Sequence, residues 1–259
     1  MVPTSSLILM ALNAILSTAV VVGLAWWLIR KHHARFSTIL IGAGTFIVFA
    51  LILESIMHQM VLKGPAGAGI LGNTLLYAIY GGMAAGIFEE TGRFISMKYL
   101  MRDEPSGPIP GVAYGIGHGG AEVIIIFTLT MVSNLVISAL INSGQTGILF
   151  AKVPADAASQ VQAQLDQLTS ATAGTWLIGL WERFSALILH VGLSVLVWAA
   201  VRKGGKWMWL FPAAILLHAL VDASAVLLQK SIGMVPLEFI IFAASLSIAA
   251  LAYLISRKL

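Results

Sequence analysis

The chain has 259 residues, 59% of them apolar and only 10% charged, with a mean hydropathy of +0.93. An ordinary soluble domain carries about 25% charged residues, so this composition cannot clothe a water-soluble surface, and repeated apolar runs of about 20 residues point to a polytopic membrane protein. The net charge of +4 sits in short clusters between those runs, which argues against a nucleic-acid partner, and the absence of cysteine excludes disulfides, thiolate metal ligation and cysteine nucleophiles.

Seven apolar runs bounded by charge or by Gly/Pro stand at 5–29, 36–62, 72–100, 109–142, 174–201, 207–228 and 236–256. The expected fold class is all-α: a transmembrane helical bundle of about seven spans, one domain over 1–259, in the cell membrane. The first run has no basic segment before it and is too long for a signal-peptide core, so it is read as a retained helix. Cations then alternate along the chain. Arg30, Lys31, Arg35, Lys98, Arg102, Arg202, Lys203, Lys206, Arg257 and Lys258 fall on one side, and Lys63, Lys152 and Lys230 on the other. By the positive-inside rule this predicts an external N-terminus and a cytoplasmic C-terminus. Trp26, Trp27, Trp207 and Trp209 fit an aromatic belt at the cytoplasmic helix ends. The longest outer connection, 143–174, carries Val161, Leu165 and Leu168 at helical spacing, which reads as a short interfacial helix or a plain loop on the headgroups.

Ionisable side chains in hydrocarbon cost several kcal/mol unless paired or hydrated, so each needs a reason. Span two carries Glu54 and His58; span three, Glu89, Glu90 and Arg93; span four, His118 and Glu122; span five, Glu182, Arg183 and His190; span six, His218 and Asp222. Glu238 lies near an outer helix end and is set aside. Counted from their cytoplasmic ends, Glu89 and His118 each lie about nine residues deep, and His190 and His218 about ten or eleven. Four helices therefore deliver a carboxylate pair and three imidazoles to one layer, roughly 15 Å from the cytoplasmic edge. Glu122 and Asp222 sit one turn beyond His118 and His218 on the same helix faces.

Glu89 and Arg93 form an i,i+4 pair, so the guanidinium is expected to neutralise Glu89 and leave Glu90 in a different environment. Arg183 and His190 share a face, and Glu182 is expected to pair with Glu54 in a structural role. His58 has no level-matched partner and is read as a packing residue. Gly82 and Gly86 before Glu89, with Gly111, Gly115 and Gly119 around His118, predict close contact of spans three and four.

Glu89-Glu90-Thr91-Gly92-Arg93, Tyr114-x-x-x-His118 with Glu122, the histidine of the fifth span, and His218-x-x-x-Asp222 resemble the motif series of the membrane protease superfamily containing the type II CAAX prenyl proteases and the PrsW proteases. The resemblance is nearest to the YhfC-type bacterial intramembrane proteases. It covers spans three to six, with a protease-like core over about 72–228. It implies that the glutamate pair supplies the base for water, with Glu89 matching the leading carboxylate, that His118 positions this water, and that His218 and Asp222 hold the developing oxyanion. Two residues separate the carboxylates from Arg93 where the prenyl proteases have three, and Asp222 stands where they often have a neutral amide. Both departures point away from prenylated substrates.

Amide hydrolysis needs an activated water, a proton donor and an oxyanion electrophile, and Glu89, Glu90, His118 and His218 have the chemistry for these roles. Zinc is the alternative activator, with His118, His190 and His218 as candidate ligands; the sequence leaves the two open. There is no His-Glu-x-x-His motif and no Gly-x-Ser-x-Gly elbow. The leading expectation is a peptidase acting on a membrane protein or peptide, with Glu89, Glu90, Arg93, His118, Glu122, His190, His218 and Asp222 as its site. The alternatives are a proton- or ion-coupled transporter using the same groups, or a scaffold, since the superfamily resemblance extends to the APH subunit of gamma-secretase.

Overall fold

A backbone inside hydrocarbon must satisfy its own N–H and C=O groups, so long apolar runs become helices. The computed structural model describes residues 1–151, 153–154 and 157–259. In it every predicted run is helical. The longer helices are α1 (Thr4–His32), α2 (Phe36–Leu62), α3 (Thr74–Tyr99), α4 (Ile109–Asn142), a shorter α5 (Ala158–Ser170), then α6 (Ala173–Lys203), α7 (Leu210–Ile232) and α8 (Met234–Ser256). There is no strand among the described residues. Six of these helices are long and apolar enough to cross a membrane. The remaining long one, α3, has 26 residues and is the helix that carries Glu89, Glu90 and Arg93. Lys152, counted among the outer cations, lies outside the described residues.

Local chemistry sets the helix ends. Asn73 caps α3 by accepting the backbone N–H groups of Leu75 at 3.0 Å and Leu76 at 3.1 Å. Gly204 and Gly205, with φ of +62° and +51°, turn the chain out of α6, a backbone that side chains with a Cβ resist. Two helices are widened by π-helical stretches, Ile47–Glu54 in α2 and Val123–Thr128 in α4. One ends on Glu54 and the other begins directly after Glu122, and such stretches often mark functional positions.

The described chain forms two compact units, residues 1–20 with 123–183, and residues 21–122 with 184–259. In the first, Leu165 and Leu168 of α5 are buried, and Leu168 belongs to a core with Met10, Phe127, Met131 and Trp176. The helical spacing in the 143–174 connection is therefore a real helix, and its apolar side packs on protein.

The second unit contains every residue of the predicted catalytic layer. Within it α3 packs extensively along α7, and the N-terminal part of α2 along that of α4. Small residues make both possible, though not in the pairing expected from sequence. A Cβ on Gly86 would meet the Ile215 carbonyl oxygen at 2.6 Å, and one on Gly82 the Ala223 nitrogen at 3.0 Å, so the α3 glycines serve α7. On α4, Gly111, Gly115 and Gly119 lie against Trp198, Val191 and His190 of α6. Spans three and four do meet, but through Glu89 and His118.

Candidate metal centre and catalytic cluster

Glu89, Glu90, Arg93, His118, His190 and His218 are all buried, and Glu90, Arg93 and His118 are fully so. The carboxylate pair and three imidazoles expected in one layer do converge, and Arg93 lies against them. Two connected sets can be distinguished.

In the first set, His118 Nε2 is 2.8 Å from Glu89 Oε2, and His190 Nδ1 is 3.8 Å from the same oxygen. The His118 and His190 rings lie 5.1 Å apart. Phe46 of α2 stands edge-on to His118 at 5.3 Å and Tyr114 stacks on it at 6.0 Å, so the imidazole is fixed in an aromatic slot. His118 Nδ1 is buried without a hydrogen-bond partner among the described residues. On its other side, His190 Nε2 is 2.6 Å from Glu122 Oε2.

In the second set, Arg93 Nη1 donates to Glu90 Oε1, and the same oxygen lies 2.8 Å from His218 Nδ1. His218 Nε2 stands 3.5 Å from Asp222 Oδ2, and the Asp222 side chain is 38% exposed, the most open of the cluster. Arg93 Nη2 joins the two sets, 3.2 Å from His190 Nδ1.

This geometry corrects two expectations. The guanidinium pairs with Glu90 at i,i+3, leaving Glu89 to the imidazoles, so the neutralised carboxylate and the freer one are exchanged. Within its own unit Glu54 bonds His58 Nε2 at 3.1 Å, and Glu182 pairs with its neighbour Arg183. His58 is not a lone packing residue, since its Nδ1 also meets Tyr80 Oη at 2.8 Å, which ties α2 to α3. Tyr80 and Phe46 were missed by the sequence reading. A hydroxyl or a ring in an apolar helix carries no signal of its partner.

Glu89, His118 and His190 each offer one ligand atom, and the three atoms lie within 4.8 Å of one another. Tetrahedral zinc ligands about 2.0–2.1 Å from the ion sit about 3.4 Å apart, so the observed 2.8 and 3.8 Å need only small shifts to suit one. Two imidazoles and a carboxylate leave an open fourth position, the pattern of catalytic sites. Glu122 supplies the carboxylate that usually holds the far nitrogen of a ligating histidine. The donor set therefore fits a metal ion. Two of the three imidazoles expected as ligands belong to it; His218 does not, because its nitrogens face Glu90 and Asp222.

Fold and site together define a multi-pass integral membrane protein with a buried carboxylate and imidazole centre able to hold a metal ion. The chain belongs to the YhfC intramembrane metalloprotease family, whose model matches residues 16–244. It is 36% identical over 233 residues, covering 90% of this chain and 88% of the relative, to a protein of Bacillus subtilis (strain 168) described as "Uncharacterized membrane protein YhfC". No solved structure matches significantly.

Proposed function

We propose that the chain is a membrane-embedded peptidase that hydrolyses a peptide bond of a membrane protein or membrane-associated peptide, in the cytoplasmic half of a bacterial plasma membrane. The observation that carries this reading is the convergence of Glu89, His118 and His190 within 4.8 Å. These three would hold the ion, which in this chemical class polarises the scissile carbonyl and lowers the pKa of a bound water.

The remaining work falls to the chain's own groups. Glu122 holds His190 by its Nε2 and so orients Nδ1 toward Glu89. Arg93 offsets the charge of Glu90, which in turn anchors His218 through Nδ1. With Nδ1–H given to Glu90, His218 in its imidazolium form donates Nε2–H to the oxyanion as the carbonyl carbon becomes tetrahedral, or gives that proton to the leaving amine. Asp222, partly open, attracts that N–H and marks the side on which the site is accessible. Phe46, Tyr114 and the buried layer keep bulk water from competing.

The test is a comparison of protein N-termini in membranes from cells producing the wild type or Glu89→Gln at matched levels. The reading predicts new N-termini in or beside apolar segments of membrane proteins with the wild type only. Identical sets of N-termini would contradict it.

A further inference from the structure

Away from the catalytic layer, the helix ends around α1, α2 and the α3–α4 connection enclose a polar cavity of about 410 Å³. Its wall includes His32, His33, Arg35, Thr38, Asp103 and Glu104, so both signs of charge face one space. Glu104 is buried and already served by Thr38 and, at 3.8 Å, by Arg35. Asp103 is exposed. The cavity falls within the size range of small-molecule pockets.

Next to it runs an apolar groove of about 390 Å³ between α1, α4, α6 and α8, with Trp27, Val112, Val195, Ala249 and Tyr253 in its wall. The two spaces share His32 and Ile109. His32 packs edge-on to Trp27 at 4.5 Å, and its Nε2 is buried without a hydrogen-bond partner among the described residues. A buried polar atom without a partner is costly, so an imidazole left this way at the junction of a polar and an apolar space calls for a ligand group there. The exposed Trp26 and Trp27 place this junction at the depth of the headgroups.

We infer that the joined cavity and groove bind one phospholipid whose headgroup carries an amine as well as a phosphate, of the phosphatidylethanolamine class. The acyl chain lies in the groove, His32 Nε2 meets the ester or phosphate oxygens, Arg35 and His33 face the phosphate, and Asp103 with Glu104 faces the amine. A purely anionic headgroup would meet two carboxylates against one guanidinium. A quaternary amine would offer those carboxylates no hydrogen to accept. The site shares no residue with the catalytic cluster, so it stands whether or not the protein is a peptidase.

The test is thermal unfolding of the delipidated full chain in mild detergent. Short-chain phosphatidylethanolamine, phosphatidylglycerol, phosphatidylcholine and acyl-free glycerophosphoethanolamine are titrated in turn. The ethanolamine lipid should raise Tm saturably, with half-saturation at least tenfold below that of the other three probes. Asp103→Asn and His32→Phe should each weaken it about tenfold. An equal response to all three lipids, a preference for the glycerol lipid, an equal effect of the acyl-free headgroup, or indifference to both substitutions would each overturn the assignment. Asp103→Asn, at an exposed position, keeps the test decisive if His32→Phe folds poorly.

Discussion

Arg93 presents Nη2 3.2 Å from Nδ1 of His190. A guanidinium only donates, so His190 must offer the lone pair of Nδ1, and its proton resides on Nε2, facing Glu122. One nitrogen is thus held ready as a ligand, and a positive group stands where a cation would compete for it.

Arg93 should accordingly weaken metal binding while supporting the fold. Arg93→Met removes the partner of a buried carboxylate and is expected to cost about 3–5 kcal/mol of stability; Arg93→Met combined with Glu90→Gln should regain much of that loss. In the double variant, the affinity for zinc in competition with a chromophoric chelator should rise by about tenfold, the scale of about 1.4 kcal/mol. Weaker binding in that variant would mean that Arg93 assists the ion.

Glu122 should act through His190. Glu122→Ala frees the imidazole to rotate and is expected to lower metal affinity about 10–100-fold. Glu122→Gln keeps an acceptor for Nε2–H and should fall between. The same chelator competition ranks the three proteins, and equal affinities would remove Glu122 from the site.

The α3–α7 contact should be sensitive to single methyl groups. Gly86→Ala drives a Cβ toward the Ile215 carbonyl oxygen, 2.6 Å away, and is expected to cost about 1–3 kcal/mol and to displace Glu89 and Glu90 from the histidines. Gly81→Ala, on the same helix, meets nothing within 4 Å and should be neutral. Thermal unfolding and the N-terminus comparison together read both effects.

The tie between α2 and α3 should matter for stability alone. Tyr80→Phe removes the hydroxyl that meets His58 Nδ1 and should cost about 1–2 kcal/mol with metal content unchanged. Loss of metal in that variant would extend the centre to the Glu54 and His58 pair.

The seven helices and the common layer were readable because both follow from one-dimensional properties, apolar length and count from a helix end. Glu89, His118, His190 and His218 met as counted. Partner choice was not readable in the same way. Positions i+3 and i+4 are both neighbours on a helix, so Glu89 and Glu90 were equally open to Arg93, and side-chain packing chose Glu90. Gly82 and Gly86 announce close packing without naming the facing helix, here α7. The π-helical stretches before Ser55 and after Glu122 alter the phase of α2 and α4, so residues on either side of them do not follow one regular 3.6-residue count.

The most direct test of the central claim is metal content by elemental analysis of untagged protein, purified in mild detergent without chelator, for the wild type, His118→Ala and His190→Ala. The account predicts about one zinc or similar divalent ion per chain in the wild type and loss in both variants with the fold retained. A folded wild type that binds no divalent metal on titration, or variants that keep full occupancy, would contradict it.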